Sequence, residues 1–264
     1  MIKLNSLSLF VGTGRCNAKC RHCAGRIHRQ YAPLEDGVVD EELILKTLRE
    51  GHKNGVRYLS LSSSGEPTLS PLSVTRVLKL IHSLQLEDIE FSPINLYSNG
   101  IRIGEDEEFC NKYLSRWKDW GLTTVYLTVH DIDAIENARI YGVERYPELN
   151  VIVNRIHNCG LSIRANLILS KDNIATSKRF VEMTNKLREL GFDAISAWPI
   201  RDQEDKMDLE NTPPGDELDR MEEFVRSNTG LKIRLLREKS RAIYQSGEKL
   251  TLFPNGVLSN TWCN

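Results

Sequence analysis

Residues 124–129, TVYLTV, and residues 161–168, LSIRANLI, alternate apolar and polar side chains with period two. In the first segment Val125, Leu127 and Val129 share one face, while Tyr126, Thr128 and the following His130 share the other. In the second, Leu161, Ile163, Ala165 and Leu167 oppose Ser162, Arg164 and Asn166. Strands of a parallel sheet are usually apolar on both faces, because both faces are covered. A polar face here predicts a sheet whose second side lines a cavity. Arg164 sharpens the point, since an isolated buried guanidinium is costly and needs a partner. An acidic side chain would serve, and so would a ligand carboxylate, which arginine can grip with two parallel hydrogen bonds.

Working outward, four more apolar segments read as strands: Leu7–Val11, Val56–Leu61, Ile94–Tyr97 and Phe192–Trp198. The six starts lie roughly 30 to 50 residues apart, which suits strand–helix units on a parallel sheet. Helical stripes fill the intervals. One begins at a capping Asp40, carries Leu43, Ile44 and Leu48, and is expected to stop at Gly51. Another carries Phe109, Tyr113, Trp117 and Trp120 ahead of Gly121, and a third Phe180, Met183, Leu187 and Leu190 ahead of Gly191. Such stripes face a core. Six units fall short of the eight that close a barrel, so spacing alone allows an open doubly wound sheet or an incomplete barrel.

After Pro199 the pattern changes. Residues 201–215, RDQEDKMDLENTPPG, read as a loop, residues 217–226 as a helix and residues 231–235 as a strand. The segment KLTLFPNGVLSNTWCN reads as a hairpin turned at Pro254-Asn255-Gly256, because Asn-Gly tolerates the positive φ of a tight turn. The expected division is a core over residues 1–200 and an extension over residues 201–264 that covers it.

The 264 residues are 40% hydrophobic and 27% charged, with a net charge of -1, the composition of an ordinary globular protein. That charge argues neither for nor against nucleic acid, and a local basic patch leaves RNA open. The opening MIKLNSLSLFVGTG lacks a basic region followed by a long apolar run, so no secretory signal is expected. No stretch approaches the ~18 apolar residues of a membrane span. The expected location is cytoplasmic, with no membrane partner.

Six cysteines are present, and three crowd into Gly14-Arg15-Cys16-Asn17-Ala18-Lys19-Cys20-Arg21-His22-Cys23. Cys110, Cys159 and Cys263 lie far apart, and a chain of this length does not need disulfide staples. The cluster follows the first strand, at the carboxyl end where α/β folds place their chemistry. Thiolates so close together favour a soft metal centre such as zinc, copper(I) or an iron–sulfur cluster. Structural zinc would want a fourth ligand, for which His22 and His28 are available.

The spacing Cys-x3-Cys-x2-Cys resembles the signature of the radical S-adenosylmethionine (SAM) superfamily. The resemblance implies that Cys16, Cys20 and Cys23 hold a 4Fe–4S cluster whose fourth iron takes the amino and carboxylate groups of SAM. One-electron reduction then cleaves a C–S bond, and a 5′-deoxyadenosyl radical abstracts a substrate hydrogen atom. Other segments, in the right order over residues 6 to 200, are similar to the superfamily's. Ser64-Gly65-Glu66-Pro67 resembles its Gly-Gly-Glu motif, with Ser64 replacing the first glycine, which makes Gly65 and Glu66 contacts for the SAM amino group. Tyr97-Ser98-Asn99-Gly100 resembles its Ser-Asn-Gly segment and puts Asn99 at the site. By the same resemblance Thr128 holds the SAM ribose, Arg164 the carboxylate with Asn166 beside it, and His22 and Trp198 pack near the adenine. The fold implied is α/β, a partial (β/α)6 TIM-like barrel with a short C-terminal α/β extension. The cofactors implied are a 4Fe–4S cluster and SAM; the partners are an unidentified substrate and an electron donor such as flavodoxin or ferredoxin.

The substrate class stays open among small molecules, nucleotides or RNA, and peptides. Activation of a glycyl-radical enzyme is an alternative, and a zinc-binding recognition module or a non-radical methyl transfer from SAM are rivals from other classes. Direct chemistry on a substrate over the barrel mouth is the favoured expectation, with the 201–215 loop and the hairpin helping to enclose it.

Overall fold

A computed structural model describes residues 4–202, 206–237 and 248–259. Nine strands form one sheet: β1 Leu4–Phe10, β2 Tyr58–Ser62, β3 Ile94–Ser98, β4 Thr124–Val129, β5 Ser162–Leu169, β6 Ala194–Pro199, β7 Ile233–Leu235, β8 Glu248–Leu252 and β9 Leu258–Ser259. The order is β7-β6-β5-β4-β3-β2-β1-β8-β9, so the six expected strands lie side by side in chain order. Every pairing is parallel except β8 with β9. The sheet stays open, with β7 and β9 at its edges. The segment beyond residue 200 extends the sheet itself. It supplies a flanking strand on each side, β7 beside β6 and β8 beside β1.

The helices are α1 Glu41–Lys53, α2 Pro71–Ser83, α3 Ile101–Glu105, α4 Glu107–Phe109, α5 Ser115–Asp119, α6 Ala134–Tyr141, α7 Leu149–Asn158, α8 Ser177–Glu189 and α9 Gly215–Ser227. Asp40 caps α1 as its sequence suggests, accepting the Leu43 N–H at 2.9 Å. Gly51 does not end that helix; it lies inside, buried against Val56 and Leu7, and α1 runs on to Lys53. The aromatic stripe at 109–120 bends through a π-helical turn, Cys110–Leu114, that joins α4 to α5 and keeps Phe109 and Trp117 buried. Leu190 caps α8, and Gly191 follows at φ +96°. The hairpin turns at Pro254-Asn255-Gly256, where Gly256 takes φ +80° and its N–H reaches the Phe253 carbonyl.

The two faces of the sheet differ as expected. Leu59, Leu61, Leu96, Val125, Leu127, Val129, Ile163, Ala165 and Leu167 are completely buried. The alternate residues form polar rows across paired strands. One runs Thr251, Ser8, Ser60, Asn95, Thr124, Ser162. The next includes Tyr97, Tyr126 and Arg164, and the one beyond it Thr128, Asn166, Ser196 and Arg234. Burying all those apolar side chains on one face, at about 1.5–3 kcal/mol each, dictates which side faces the helices. No described helix is long and apolar enough to cross a membrane.

Candidate active site

The cysteine loop leaves β1 and is pinned by its neighbours. Gly65, just after β2, approaches it so closely that an added Cβ would sit 2.1 Å from the Arg15 carbonyl oxygen. The Glu66 N–H donates to that same oxygen at 2.8 Å. Among the described atoms, the close approach of this glycine is to the chain's own backbone. Further along, the Lys19 N–H donates to the Tyr141 carbonyl at 2.7 Å. From the end of β3, Asn99 Nδ2 donates to Asn17 Oδ1 at 2.8 Å and stands 3.9 Å from Cys16 Sγ.

Glu66 ties these parts together. It is 2% exposed, and its Oε1 accepts from the Thr68 N–H, the Thr68 hydroxyl and the Ser98 hydroxyl at 3.1, 2.7 and 2.8 Å. Its Oε2 accepts from the Asn99 N–H at 2.7 Å. Burial raises its pKa and these four donors oppose the rise, as expected of a carboxylate sealed in a hydrogen-bonded pocket. Ser64, the neighbour of Gly65, is 2% exposed, and its hydroxyl has no partner among the described residues.

Burial perturbs two of the three thiols. Burial pushes the Cys20 thiol up to about 12, with Cys23 and Cys16 adding to the rise. Burial also raises Cys16, and Glu66 and Cys23 add to it. Such thiols stay protonated in the bare protein, whereas a coordinating metal deprotonates them outright. Arg29 Nε donates to the Ser64 carbonyl at 3.0 Å, and its Nη2 lies 4.0 Å from Cys23 Sγ. Arg26 donates to the Cys20 carbonyl at 2.8 Å. His28, one of two possible zinc ligands, instead packs against the rings of Phe253 and Phe10 at 4.5 and 5.3 Å. Among the described residues no three His, Cys, Asp or Glu side chains meet as a single-ion site. The donor set, three thiols within eight residues of one loop, fits the chemistry of an iron–sulfur cluster.

Arg164 donates to the Tyr126 hydroxyl at 3.0 Å, with its guanidinium 5.2 Å from that ring's centroid. No carboxylate of a described residue pairs with it. The Tyr97 ring lies tilted against Tyr126, centroids 4.9 Å apart, and burial raises its phenol. Thr128 and Asn166 are register partners on β4 and β5, one step nearer the loop-bearing ends than Arg164. Trp198 is half-buried opposite Ile168. His22 lines a cavity of about 200 Å³ with Arg21, Cys23 and Arg26 from the loop, and Arg201, Asp202 and Asp208 from beyond β6. A larger cleft, about 440 Å³, lies at the opposite ends of the strands, bordered by His52, Arg57 and Ser92, and holds none of these residues. His130, at the end of β4, has its pKa lowered to about 4 by burial and by His22.

Two residues without a sequence signal also belong here. Tyr141 and Tyr146 stack with ring centroids 5.0 Å apart and planes 3° off parallel. The Tyr141 hydroxyl donates to the Thr128 carbonyl and the Tyr146 hydroxyl to the Asn99 carbonyl, both at 2.8 Å. Together they fasten the ends of β3 and β4 to the cysteine loop. Cys110 and Cys159 are buried elsewhere, and Cys263 lies outside the described residues.

Comparison with known proteins identifies the family. The profile of the radical SAM superfamily matches residues 10–212. GTP 3′,8-cyclase of Klebsiella pneumoniae subsp. pneumoniae is 23% identical over 161 residues, 61% of this chain and 45% of that protein. The enzyme of the same name from Cronobacter sakazakii is 22% identical over an equal span. The chain therefore covers less than half the length of these curated relatives. Among solved structures, HydG, a maturase of the FeFe-hydrogenase, superposes with a TM-score of 0.65 at 13% identity, over 95% of this chain and 57% of that one. The protein anSMEcpe with bound AdoMet and a Cp18Cys peptide gives 0.58 at 16% identity, over 88% and 63%. These likenesses show a shared fold. With the profile spanning most of the chain, cysteine loop included, the protein belongs to the radical SAM superfamily, enzymes that work with a 4Fe–4S cluster and SAM.

Proposed function

We propose that the chain cleaves SAM reductively and uses the resulting radical to abstract hydrogen from a small-molecule substrate, a nucleotide being one such class. The observation that carries this reading is the joining of the thiol-bearing loop to the loops after β2 and β3, above a polar sheet face where Arg164 has no acidic partner among the described residues. When bound, the cluster and SAM supply one-electron C–S cleavage and a 5′-deoxyadenosyl radical.

The chain's own residues then do the positioning. Cys16, Cys20 and Cys23 hold the cluster. Glu66 is committed to Thr68, Ser98 and Asn99, so its part is to lock the loops, leaving the Ser64 hydroxyl and the nearby backbone to meet the SAM ammonium. Gly65 sets the distance between that segment and the cysteine loop. Arg164 offers its guanidinium to the carboxylate, with Asn166 and Thr128 toward the ribose. His22 and Trp198 flank the adenine. Asn99, bonded to Asn17 and close to Cys16, holds the cluster loop in register. The 201–264 extension would close the site against water, as reactive intermediates require. A nucleotide substrate draws support from the distant relatives, which are GTP 3′,8-cyclases.

The test is anaerobic reconstitution. About four iron and four sulfide per chain are expected, a content typical of a 4Fe–4S protein. Reduction with dithionite in the presence of SAM should release 5′-deoxyadenosine. One zinc per chain, or S-adenosylhomocysteine as the product, would overturn the reading.

A further inference from the structure

The thiol-bearing loop is held unevenly. Its first part has the fastenings at Arg15, Asn17 and Lys19, to the segments after β2, β3 and α6. Cys23 lies beyond all of them. It leads directly into a 3-10 segment, Ala24–Tyr31, so whatever holds that segment also sets where Cys23 sits. Over residues 25–31 His28 alone is buried, at 4% exposed, while Arg26, Gln30 and Tyr31 are exposed. The half-buried Arg29 adds its bond to the Ser64 carbonyl from the side. The anchor of the segment is thus one imidazole. It touches two rings that come from opposite ends of the chain. Phe10, the last residue of β1, meets it edge-on, with centroids 5.3 Å apart and planes at 68°. Phe253, from the turn between β8 and β9, lies 4.5 Å from it at 34°, and 5.3 Å from Phe10. Ring pairs at such separations attract beyond the area they bury. The Phe253 ring is presented from a fixed backbone, because its N–H donates to the Val257 carbonyl at 2.9 Å and its carbonyl accepts from the Gly256 N–H at 3.0 Å.

We propose that Phe253 is a positioning residue for the metal centre: by clasping His28 to Phe10 it closes the base of the thiol loop and fixes the third ligand, Cys23. The inference rests on the assignment of the cluster to Cys16, Cys20 and Cys23. The loop leaves the sheet at Phe10 and returns to buried packing at His28, so joining those two residues closes it. Closing a loop before its ligand arrives removes that ordering from the binding step. Without the Phe253 ring, the stretch after Cys20 would have to be ordered by the cluster itself, and the cluster would be held more weakly. Phe10 belongs to the sheet in any case. Phe253 is the member of the trio that the far end of the chain supplies, which makes the C-terminal hairpin part of the metal centre as well as of its cover.

The test uses Phe253→Ala and the milder Phe253→Leu in the full chain. Phe180→Ala is the control for general loss of packing, since Phe180 is completely buried and meets Phe224 far along the chain from the thiol loop. Hydrogen exchange is measured first, on the cofactor-free protein. Amides of residues 21–31 should exchange about tenfold faster in Phe253→Ala, the loss of two ring contacts, and about threefold faster in Phe253→Leu. Phe180→Ala should leave them at the wild-type rate. In the reconstituted holoenzyme, iron release to a chelator should quicken by the same factor of about ten in Phe253→Ala, and the EPR signal of the reduced cluster should broaden. Phe180→Ala should keep the wild-type signal. If Phe253→Ala does not fold, Phe253→Leu carries the same comparison. Equal effects of Phe180→Ala on the loop amides and on iron release would overturn the proposal by reducing Phe253 to ordinary core packing. Wild-type exchange and a wild-type EPR signal in the Phe253 variants would overturn it too. Wild-type protein that takes up no iron would instead defeat the cluster assignment, and the exchange rates would then judge the clasp alone.

Discussion

Replacing Gly65 with alanine tests the packing on which the site depends. The new Cβ would lie 2.1 Å from the Arg15 oxygen and 2.4 Å from both the carbon and the oxygen of the Gly14 carbonyl, all backbone atoms with no rotamer to escape into. Real Cβ contacts essentially never fall below 3.0 Å, so the loops must part by 3.0 minus 2.1, or 0.9 Å, at the least. That opening stretches the Glu66 N–H bond to Arg15, now 2.8 Å, beyond useful range. A lost hydrogen bond costs about 1 kcal/mol and overpacking about 1–3 kcal/mol, so G65A should destabilise the cofactor-free protein by about 2–4 kcal/mol. Anaerobic urea unfolding measures this. Gly230→Ala serves as the control, because nothing lies within 4 Å of its added Cβ. It should stay within about 0.5 kcal/mol of wild type. Iron content after reconstitution should fall in G65A alone. Wild-type stability together with full iron loading would refute the close-packed joint between the two loops.

Cys20→Ala should drop iron to less than half the wild-type content while shifting the unfolding free energy by only about 1 kcal/mol; wild-type iron would contradict the ligand assignment. Arg164→Met should weaken SAM binding by about tenfold to a hundredfold, the loss of a charge-assisted contact, and leave the cofactor-free fold nearly unchanged, since only the Tyr126 hydroxyl loses a partner. Equilibrium dialysis with SAM checks it, and equal affinity would exclude Arg164 from the carboxylate. His130 gives a pH signature: its folded pKa of about 4 lies below the ordinary 6.5, so the unfolded chain binds the extra proton first. The neutral ring's contribution is whole above pH ~6.5 and is lost as pH falls toward ~4, on the order of 2–3 kcal/mol. His130→Phe, which preserves an aromatic edge against Tyr141, should flatten stability across that window, and an unchanged acid limb would assign the loss to another group.

The strands were legible because their apolar faces must be buried and their period is short. Each of the six expected segments overlaps an observed strand, and the alternation in β4 and β5 gave the polar face directly. Local signals erred where tertiary packing overrode them. Gly51 carries a stop signal, yet it lies within α1, buried on the face that packs on Val56 and Leu7. The close contact of Gly65 with Arg15 joins residues fifty positions apart, and no local pattern announces it. Tyr141, Tyr146 and Arg29 were silent for the same reason: each makes a hydrogen bond to a distant carbonyl, and tyrosines and arginines make such bonds in many settings. Asn99 was readable because it sits in a motif, but its bond to Asn17 was not. The strands β7 and β8 show the limit of topology from spacing. Nothing in their composition says that one would pair with β6 and the other with β1.

The pairing of β1 with β8 has a consequence for biogenesis. Residues 4–10 and 248–252 must meet across nearly the whole sequence, and contacts of such long separation form slowly. A nascent chain that has emerged only as far as β6 therefore carries β1 with one flank unzipped, a site open to mispairing with other chains. That same ribbon ends in the thiol loop. A cluster inserted early would ride on an unfinished border, so its insertion is best timed after β8 has docked.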